Sequence, residues 1–320
     1  MQRQMEALYR GIIANPRFRQ YGLPLVGALL GIQALRSLSG WLSRRALNHY
    51  TSNSKWDWSK ELVVITGGNS GIGAKIAEKL GSESHPSRYH GSEGATAVSS
   101  DRIRSEHGHP TVLINNAGLA LDATILGIPM DDVQRTFSVN VFSHYQLVKE
   151  FLPHMIENDH GHIVTVASLA AHAPRIANVA YAASKAAALA FHEGLGLELA
   201  LYYDAKKVRT RRVPNSCRFN LNVLMMLASV VLPAWVRTPL VQRLIDNGLK
   251  VSMVEPEVVA DAVVKQLYSE DSGQIVVPSS LSLATGIRGW PHWLHQKMLM
   301  DMSTRSKTAT VAAMESGQQE

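Results

Sequence analysis

Short continuous apolar runs alternate along this chain with longer stretches of helical period. The runs Glu61–Thr66, Val112–Asn115, Ile163–Val166, Val230–Pro233 and Gln274–Pro278 are rich in Val and Ile and carry no polar alternation, as expected of strands buried on both faces of a parallel sheet. Between them, 74–80, 131–155, 178–202, 239–248 and 256–268 place apolar residues at helical spacing. The alternation predicts an α/β domain with a parallel sheet. Val208–Thr210 reads as the start of the strand that Val230–Pro233 continues.

The first sixty residues have a different pattern, which makes 1–60 an attachment, 61–302 the domain proper and 303–320 a loose polar tail. The uninterrupted apolar part, Leu23–Ile32, is ten residues long, whereas a full membrane span takes about 20. Gln33 and Arg36 fall inside any longer window. From Leu29 onward Leu35, Leu38, Trp41 and Leu42 recur at helical spacing, and Arg17, Arg19, Arg44 and Arg45 flank the segment. This is the pattern of an anchor or of a helix lying in a lipid interface, and it predicts membrane association. The alternative is a helix packed on the domain. Near the other end, Leu281–Met302 mixes Trp290, Trp293, Met298 and Met300 with Arg288 and Lys297. It reads as a second membrane-facing patch, a cap on the core or a subunit contact.

Composition narrows the classes. The 320 residues are 46% apolar and 18% charged, enough for one large domain with an extension. A single cysteine, Cys217, excludes an internal disulfide and any multi-cysteine metal site. His154, His160 and His162 lie close in sequence without a metal-binding frame, so no metal is expected. The formal charge is +6 and the isoelectric point about 9.4. The basic residues form no stripe with interleaved aromatics, so nucleic acid is not an expected partner.

Two places carry candidate chemistry. The run ending at Thr66 leads directly into Gly67-Gly-Asn69-Ser70-Gly71-Ile72-Gly73 and then a helix. Glycines there let a pyrophosphate approach the backbone, and the helix start offers free N–H groups. Tyr181 and Lys185 stand four apart in an alanine-rich helix and share a face. A nearby ammonium favours the phenolate, which would fit Tyr181 for proton exchange with an alcohol or carbonyl oxygen. Ser168, at the end of its strand, can hold the same oxygen. Taken singly, Tyr181 also reads as a helix tyrosine, Ser168 as a turn residue or cap, and Asn140 as a mid-helix polar residue.

Taken together and in order, these motifs resemble the short-chain dehydrogenase/reductase family: Gly-x-x-x-Gly-x-Gly at 67–73, Asn115-Asn116-Ala117-Gly118, Asn140, Ser168, Tyr181-x-x-x-Lys185, and Pro233-Ala-Trp-Val236-Arg-Thr238 with Ala234 where the family has Gly. The resemblance spans roughly residues 61 to 280. It implies a Rossmann-type doubly wound sheet and an NAD(P)-dependent oxidoreductase acting on CH–OH groups. It also implies a cofactor site at Gly67, Asn69, Ser70, Gly71, Ile72, Gly73, Asn116, Ala117, Gly118, Tyr181, Lys185, Val236 and Thr238, and a catalytic set of Asn140, Ser168, Tyr181 and Lys185. The family's Lys binds the nicotinamide ribose, its Asn supports a water, and its Thr meets the carboxamide. With its N-terminal segment, the chain looks most like the membrane-associated retinol and hydroxysteroid dehydrogenase branch. That likeness suggests an apolar alcohol or carbonyl substrate, an endoplasmic reticulum or lipid-droplet location, and a homodimer built on the helices at 131–155 and 178–202.

Two segments depart from the family. Between Leu80 and Val112 a doubly wound half needs two further strands with their helices. Residues 81–94 are polar and aperiodic, Ala95–Ser99 is the only faint strand signal, and Asp101–Gly108 looks like the tail of a helix. The second and third strands are therefore expected to be missing or truncated, and no acid for the adenosine ribose is assignable. The segment 211–229, which holds Cys217, looks like an insertion that splits a strand. It reads either as a lipid-contacting loop, given the apolar 223–227, or as translated non-coding sequence. The same explanation would suit 81–100. A non-catalytic or mis-spliced relative with an impaired cofactor site is the rival function.

Overall fold

The computed structural model describes residues 16, 18–47, 56–82, 88–92, 97–203 and 226–317. The chain divides into two units, Met1–Thr51 and Ser52–Glu320. In the first, helix α1, Leu23–Leu47, follows a π-turn at Phe18–Gly22. Across this turn and helix, Gln20–Ser39 is long and apolar enough to cross a membrane, with a mean hydropathy of 1.3. The ten-residue apolar run thus sits inside a longer continuous helix. Its Leu25, Leu35, Leu38 and Trp41 side chains are exposed.

The second unit is built on a six-stranded, wholly parallel sheet. The strands are β1 (Leu62–Thr66), β2 (Arg88–Ser92), β3 (Val112–Asn115), β4 (Gly161–Val166), β5 (Met226–Pro233) and β6 (Gly273–Val277), in the order β2-β1-β3-β4-β5-β6. The order reverses between β1 and β3, the switch point at which open α/β sheets bind ligands beyond their strand ends. Residues alternate between the two faces, as strand geometry requires. Val63, Ile65, Val112, Ile114, Val164 and Val166 point to one side. There they meet α2 (Gly71–Ser82) through Ile76 and Leu80, and α8 (Pro256–Ser269) through Val259, Val263 and Leu267. Val64, Leu113 and Ile163 point to the other. They meet Ile103 of α3 (Ala97–His107), Leu147, Phe151 and Met155 of α5 (Ser143–Glu157), and Leu195 and Leu199 of α6 (Val179–Leu201). The remaining helices are α4 (Met130–Phe137), α7 (Pro239–Asp246) and α9 (His292–Gly317).

The half-sheet before β3 is truncated, as expected, but it is not empty, and several other expectations need correction. Arg88–Ser92, which has no strand-like pattern, pairs in parallel with β1 in the register Leu62↔Arg88 to Thr66↔Ser92. One strand therefore flanks β1 among the described residues, where a doubly wound half carries two, and β1 is not an edge. The faint strand signal at Ala95–Ser99 falls instead at the start of α3, which begins at Ala97. Residues 226–229, assigned by sequence to the insertion, are the first half of β5 and pair with Gly161–Val164. The rest of that segment, Cys217 and 223–225 included, and Val208–Thr210 lie outside the described residues. The tail from Ser303 is helical to Gly317, because Ser306, Ala309, Thr310 and Ala313 form a buried face. Trp58, inside the nominal N-terminal segment, packs into the main core with Trp56 beside it.

Candidate active site

The candidate residues arise where β1, β3, β4 and β5 end. After β1 the chain turns through Gly67, at φ +64°, and Gly71, at φ +53°, conformations that disfavour a side chain. Helix α2 then starts so close to this turn that a Cβ on Gly73 would lie 2.3 Å from the Gly67 carbonyl oxygen and 2.5 Å from Asn116 Nδ2. Asn116 secures the turn: its Nδ2 donates to the carbonyls of Thr66 at 2.9 Å and Gly67 at 3.3 Å. Thr66, a residue the motif reading passed over, accepts the backbone N–H groups of Asn116 and Ala117 on its hydroxyl, each at 2.9 Å. Asn69 and Ser70 are exposed at the turn, and Gly71 lies against Thr238, to whose Cγ2 a Cβ would approach within 3.1 Å. Thr238 precedes α7, and Val236 is buried with a bridge to Val254.

The second group lies around α6. Asn140 is completely buried in a π-turn, Ser138–Phe142, between α4 and α5. The widened turn carries its side chain to the β3 loop. Its Oδ1 accepts Leu119 N–H at 2.7 Å, and its Nδ2 donates to the Leu119 carbonyl at 2.9 Å and to Ser184 Oγ at 2.8 Å. Lys185 is also buried, with Nζ donating to the Val166 carbonyl at 2.8 Å and lying 5.8 Å from the Tyr181 ring centre. A Cβ on Gly118 would meet Lys185 Nζ at 3.4 Å and Asn140 Oδ1 at 3.8 Å, so this exposed glycine forms the open wall of the Lys185–Asn140 corner. Ser168 accepts Ala170 N–H at 3.1 Å, capping a short 3-10 turn, and its hydroxyl donates to the Pro233 carbonyl at 3.4 Å. Of its readings from sequence, the cap is the one realised here.

The charges of this corner are set by burial. Burial pushes the Tyr181 hydroxyl up, opposed by the hydrogen bond with Ser168 and by the positive field of Arg175. Burial holds Lys185 down to about 8. Ser168 and Arg175 both act beside Lys185, whose ammonium the sequence places next to the phenol and whose Nζ lies 5.8 Å from its ring centre. Arg175 is missed because it belongs to no motif.

A dinucleotide fits this surface. Gly67, Gly71 and Gly73 leave a cradle that a Cβ would fill, above the N-terminus of a twelve-residue helix. The adenosine side is less complete. β2 ends at Gly91-Ser92 with no acid among the described residues, and Glu93 lies outside them. Among the described residues no cluster of three metal-ligating side chains occurs.

A family model for short chain dehydrogenases matches residues 90–209, a stretch containing Asn116 through Lys185. Dehydrogenase RED2 of Cochliobolus heterostrophus is 41% identical over 215 residues, covering 60% of this chain and 79% of its own. Mouse estradiol 17-beta-dehydrogenase 11 is 31% identical over 254 residues, 70% and 78% of the two chains. Human 17-beta-hydroxysteroid dehydrogenase 13 is 40% identical over 99 residues, 31% and 33% of the two chains. Among solved structures, a short chain dehydrogenase from Burkholderia cenocepacia in complex with NADP shares the fold with a TM-score of 0.58 and 22% identity, covering 74% of this chain and 96% of that one. With relatives of this identity and coverage, and the nucleotide turn and the Ser-Tyr-Lys corner on one sheet, this chain belongs to the short-chain dehydrogenase/reductase family of NAD(P)-dependent oxidoreductases.

Proposed function

We propose that the protein interconverts an apolar, lipid-like alcohol and its ketone or aldehyde at a membrane surface. The observation that carries this reading is the convergence of Ser168, Tyr181, Lys185 and Asn140 beside the Gly67–Gly73 turn. Bound NAD or NADP supplies the acceptor or donor of hydride. The protein's own residues do the rest. Ser168 orients the substrate oxygen and Tyr181 exchanges its proton. Lys185 and Tyr181 hold the ribose, Val236 and Thr238 the carboxamide end, and Gly67, Asn69, Ser70, Gly71, Ile72 and Gly73 the pyrophosphate. Asn116, Ala117 and Gly118 line the adenosine side. Asn140 fixes the π-turn against α6.

Support for an apolar substrate comes from position. Helix α1 is apolar enough for a membrane, and Leu283, Trp293 and Met300 are exposed near the C-terminus. The hydroxysteroid dehydrogenases it resembles are named for apolar alcohols. Association with the endoplasmic reticulum or a lipid droplet belongs to the same reading. Exposed Tyr145 and Leu197, on α5 and α6, suit a homodimer.

The test is a titration of the full chain with NADH and NADPH, followed by nicotinamide fluorescence. Oxidation of estradiol, retinol and a long-chain alkanol is then assayed with each cofactor. Saturable binding and turnover of at least one alcohol are expected, with a loss of about 100-fold or more in Tyr181→Phe. A second reading, a non-catalytic relative, draws on the single strand beyond β1 in the adenosine half among the described residues. Absence of saturable binding for either cofactor would favour it.

A further inference from the structure

Between Ser168 and α6 the chain runs over the open end of the sheet, and one residue of this loop reaches three other parts of the domain. Arg175 is nearly buried, its side chain 9% exposed. Its Nη2 pairs with Asp122, on the loop after β3. Its Nη1 donates to Thr310 Oγ1 on α9 and to its neighbour's carbonyl, Ile176, each at 3.1 Å. The guanidinium carbon sits 5.4 Å from the centre of the Trp235 ring, on the loop after β5. Trp235 in turn packs on Leu244, Leu249, Ala309 and Ala313, the seam between α7 and α9. A planar cation that spreads donors over several acceptors while lying over an aromatic face is a use that suits arginine and not lysine.

We propose that Arg175 is a positioning residue for the reaction, tying the loops after β3, β4 and β5 to the C-terminal helix and holding a fixed positive charge toward Tyr181, with Asp122 setting how much of that charge Tyr181 feels. The inference rests on the reading of Tyr181 as the proton-transfer group. Among the described residues, three side chains bear on the Tyr181 ring and hydroxyl. Ser168 comes from the end of β4, Lys185 from one turn further along α6, and Arg175 from the loop, with Asp122 behind it. Arg288 binds the same loop further back, at the carbonyls of Ala171 and His172. Removing the cation and removing its counter-charge should therefore act on Tyr181 with opposite sign. A purely structural role would loosen the loop in both cases and move both variants the same way.

The experiment compares Arg175→Met, Arg175→Lys and Asp122→Asn in the full chain. One readout is the pH profile of kcat/KM for estradiol oxidation. The other needs no turnover: the tyrosinate absorbance of each protein minus that of its Tyr181→Phe counterpart. Arg175→Met should move the Tyr181 transition to higher pH by on the order of half to one pH unit, and Asp122→Asn should move it lower by a similar amount. Arg175→Lys, which keeps the charge without the fork, should stay within a few tenths of a unit of the unaltered chain and leave KM raised. Transitions that move in the same direction in Arg175→Met and Asp122→Asn, or in neither, would overturn the proposal. Full turnover by Tyr181→Phe would instead sink the reading of Tyr181, so the two failures are distinguishable.

Discussion

Lys185 Nζ donates to the carbonyl of Val166, the last residue of β4, at 2.8 Å in a fully buried corner. A single neutral acceptor does not replace the water this ammonium has lost, and burial holds it down to about 8. The sign of the linkage follows. An unfolded chain keeps this proton to its ordinary value of 10.5, so between about 8 and 10.5 the unfolded state binds more protons and stability climbs with pH. Below 8 the full cost is present. Lys185→Met is therefore expected to abolish turnover while making the cofactor-free fold more stable at pH 7, by roughly 1–3 kcal/mol. Urea unfolding at pH 7 and pH 10.5 checks it: the gain should shrink at the higher pH.

The nucleotide turn gives a steric prediction. A methyl on Gly73 would lie 2.3 Å from the Gly67 carbonyl oxygen, a backbone atom without freedom to yield. Gly73→Ala should cost about 2–4 kcal/mol and eliminate saturable NADH and NADPH binding. Gly194 is the control: it sits inside α6 with nothing within 4 Å of its Cβ position. Gly194→Ala should gain about 0.5–1 kcal/mol from helix propensity and bind cofactor unchanged.

Asn140 joins three segments with one side chain. It bonds both backbone groups of Leu119 and the Ser184 hydroxyl, which itself donates to the Tyr181 carbonyl at 2.7 Å. Asn140→Ala leaves the half-buried Leu119 groups and the buried Ser184 short of partners and is expected to cost about 2–4 kcal/mol. Asn140→Asp keeps the acceptor but loses the two donated bonds, so it should not rescue the fold. Thermal unfolding of the three proteins ranks them.

What the sequence made legible follows from where side-chain chemistry is local. Val63, Val64 and Ile65 announce a strand because both faces of it are buried, and the glycines of 67–73 announce a turn because backbone conformation demands them. Arg88-Tyr-His-Gly-Ser92 announces nothing, since it pairs with β1 through backbone hydrogen bonds to which polar side chains are indifferent. The helix through Gly317 was hidden for a related reason. Its buried face is made of Ser306, Ala309, Thr310 and Ala313, small residues that score as polar or neutral until Trp235 and Leu244 are placed opposite. Asn140, Ser168, Tyr181 and Lys185 were readable because their spacing is repeated across a family. Arg175 and Asp122 lie 53 positions apart, and only the fold brings them together.

Three buried histidines set the behaviour in acid. His162 on β4 shares a hydrogen bond with Ser229 Oγ at 2.9 Å, and His192 on α6 shares one with Thr165 Oγ1 at 3.1 Å. His144 on α5 has no partner for either ring nitrogen among the described residues. Burial, the main cause in each, holds His144 and His162 down to about 3 and His192 to about 4. An unfolded chain protonates all three from about 6.5 downward. Between 6.5 and these lowered values the unfolded state binds more protons, so stability falls on acidification through that window. At pH 5 each histidine should remove about 2 kcal/mol relative to pH 7 or above, and the three together approach the whole stability of an ordinary domain. Cooperative unfolding is thus expected between pH 5 and pH 4. His144→Phe, which fills a similar volume and carries no proton, should recover about 2 kcal/mol of the loss between pH 7 and pH 5 in urea unfolding. An unchanged loss would show that His144 is protonated in the folded chain and that its surroundings hold a partner for that charge.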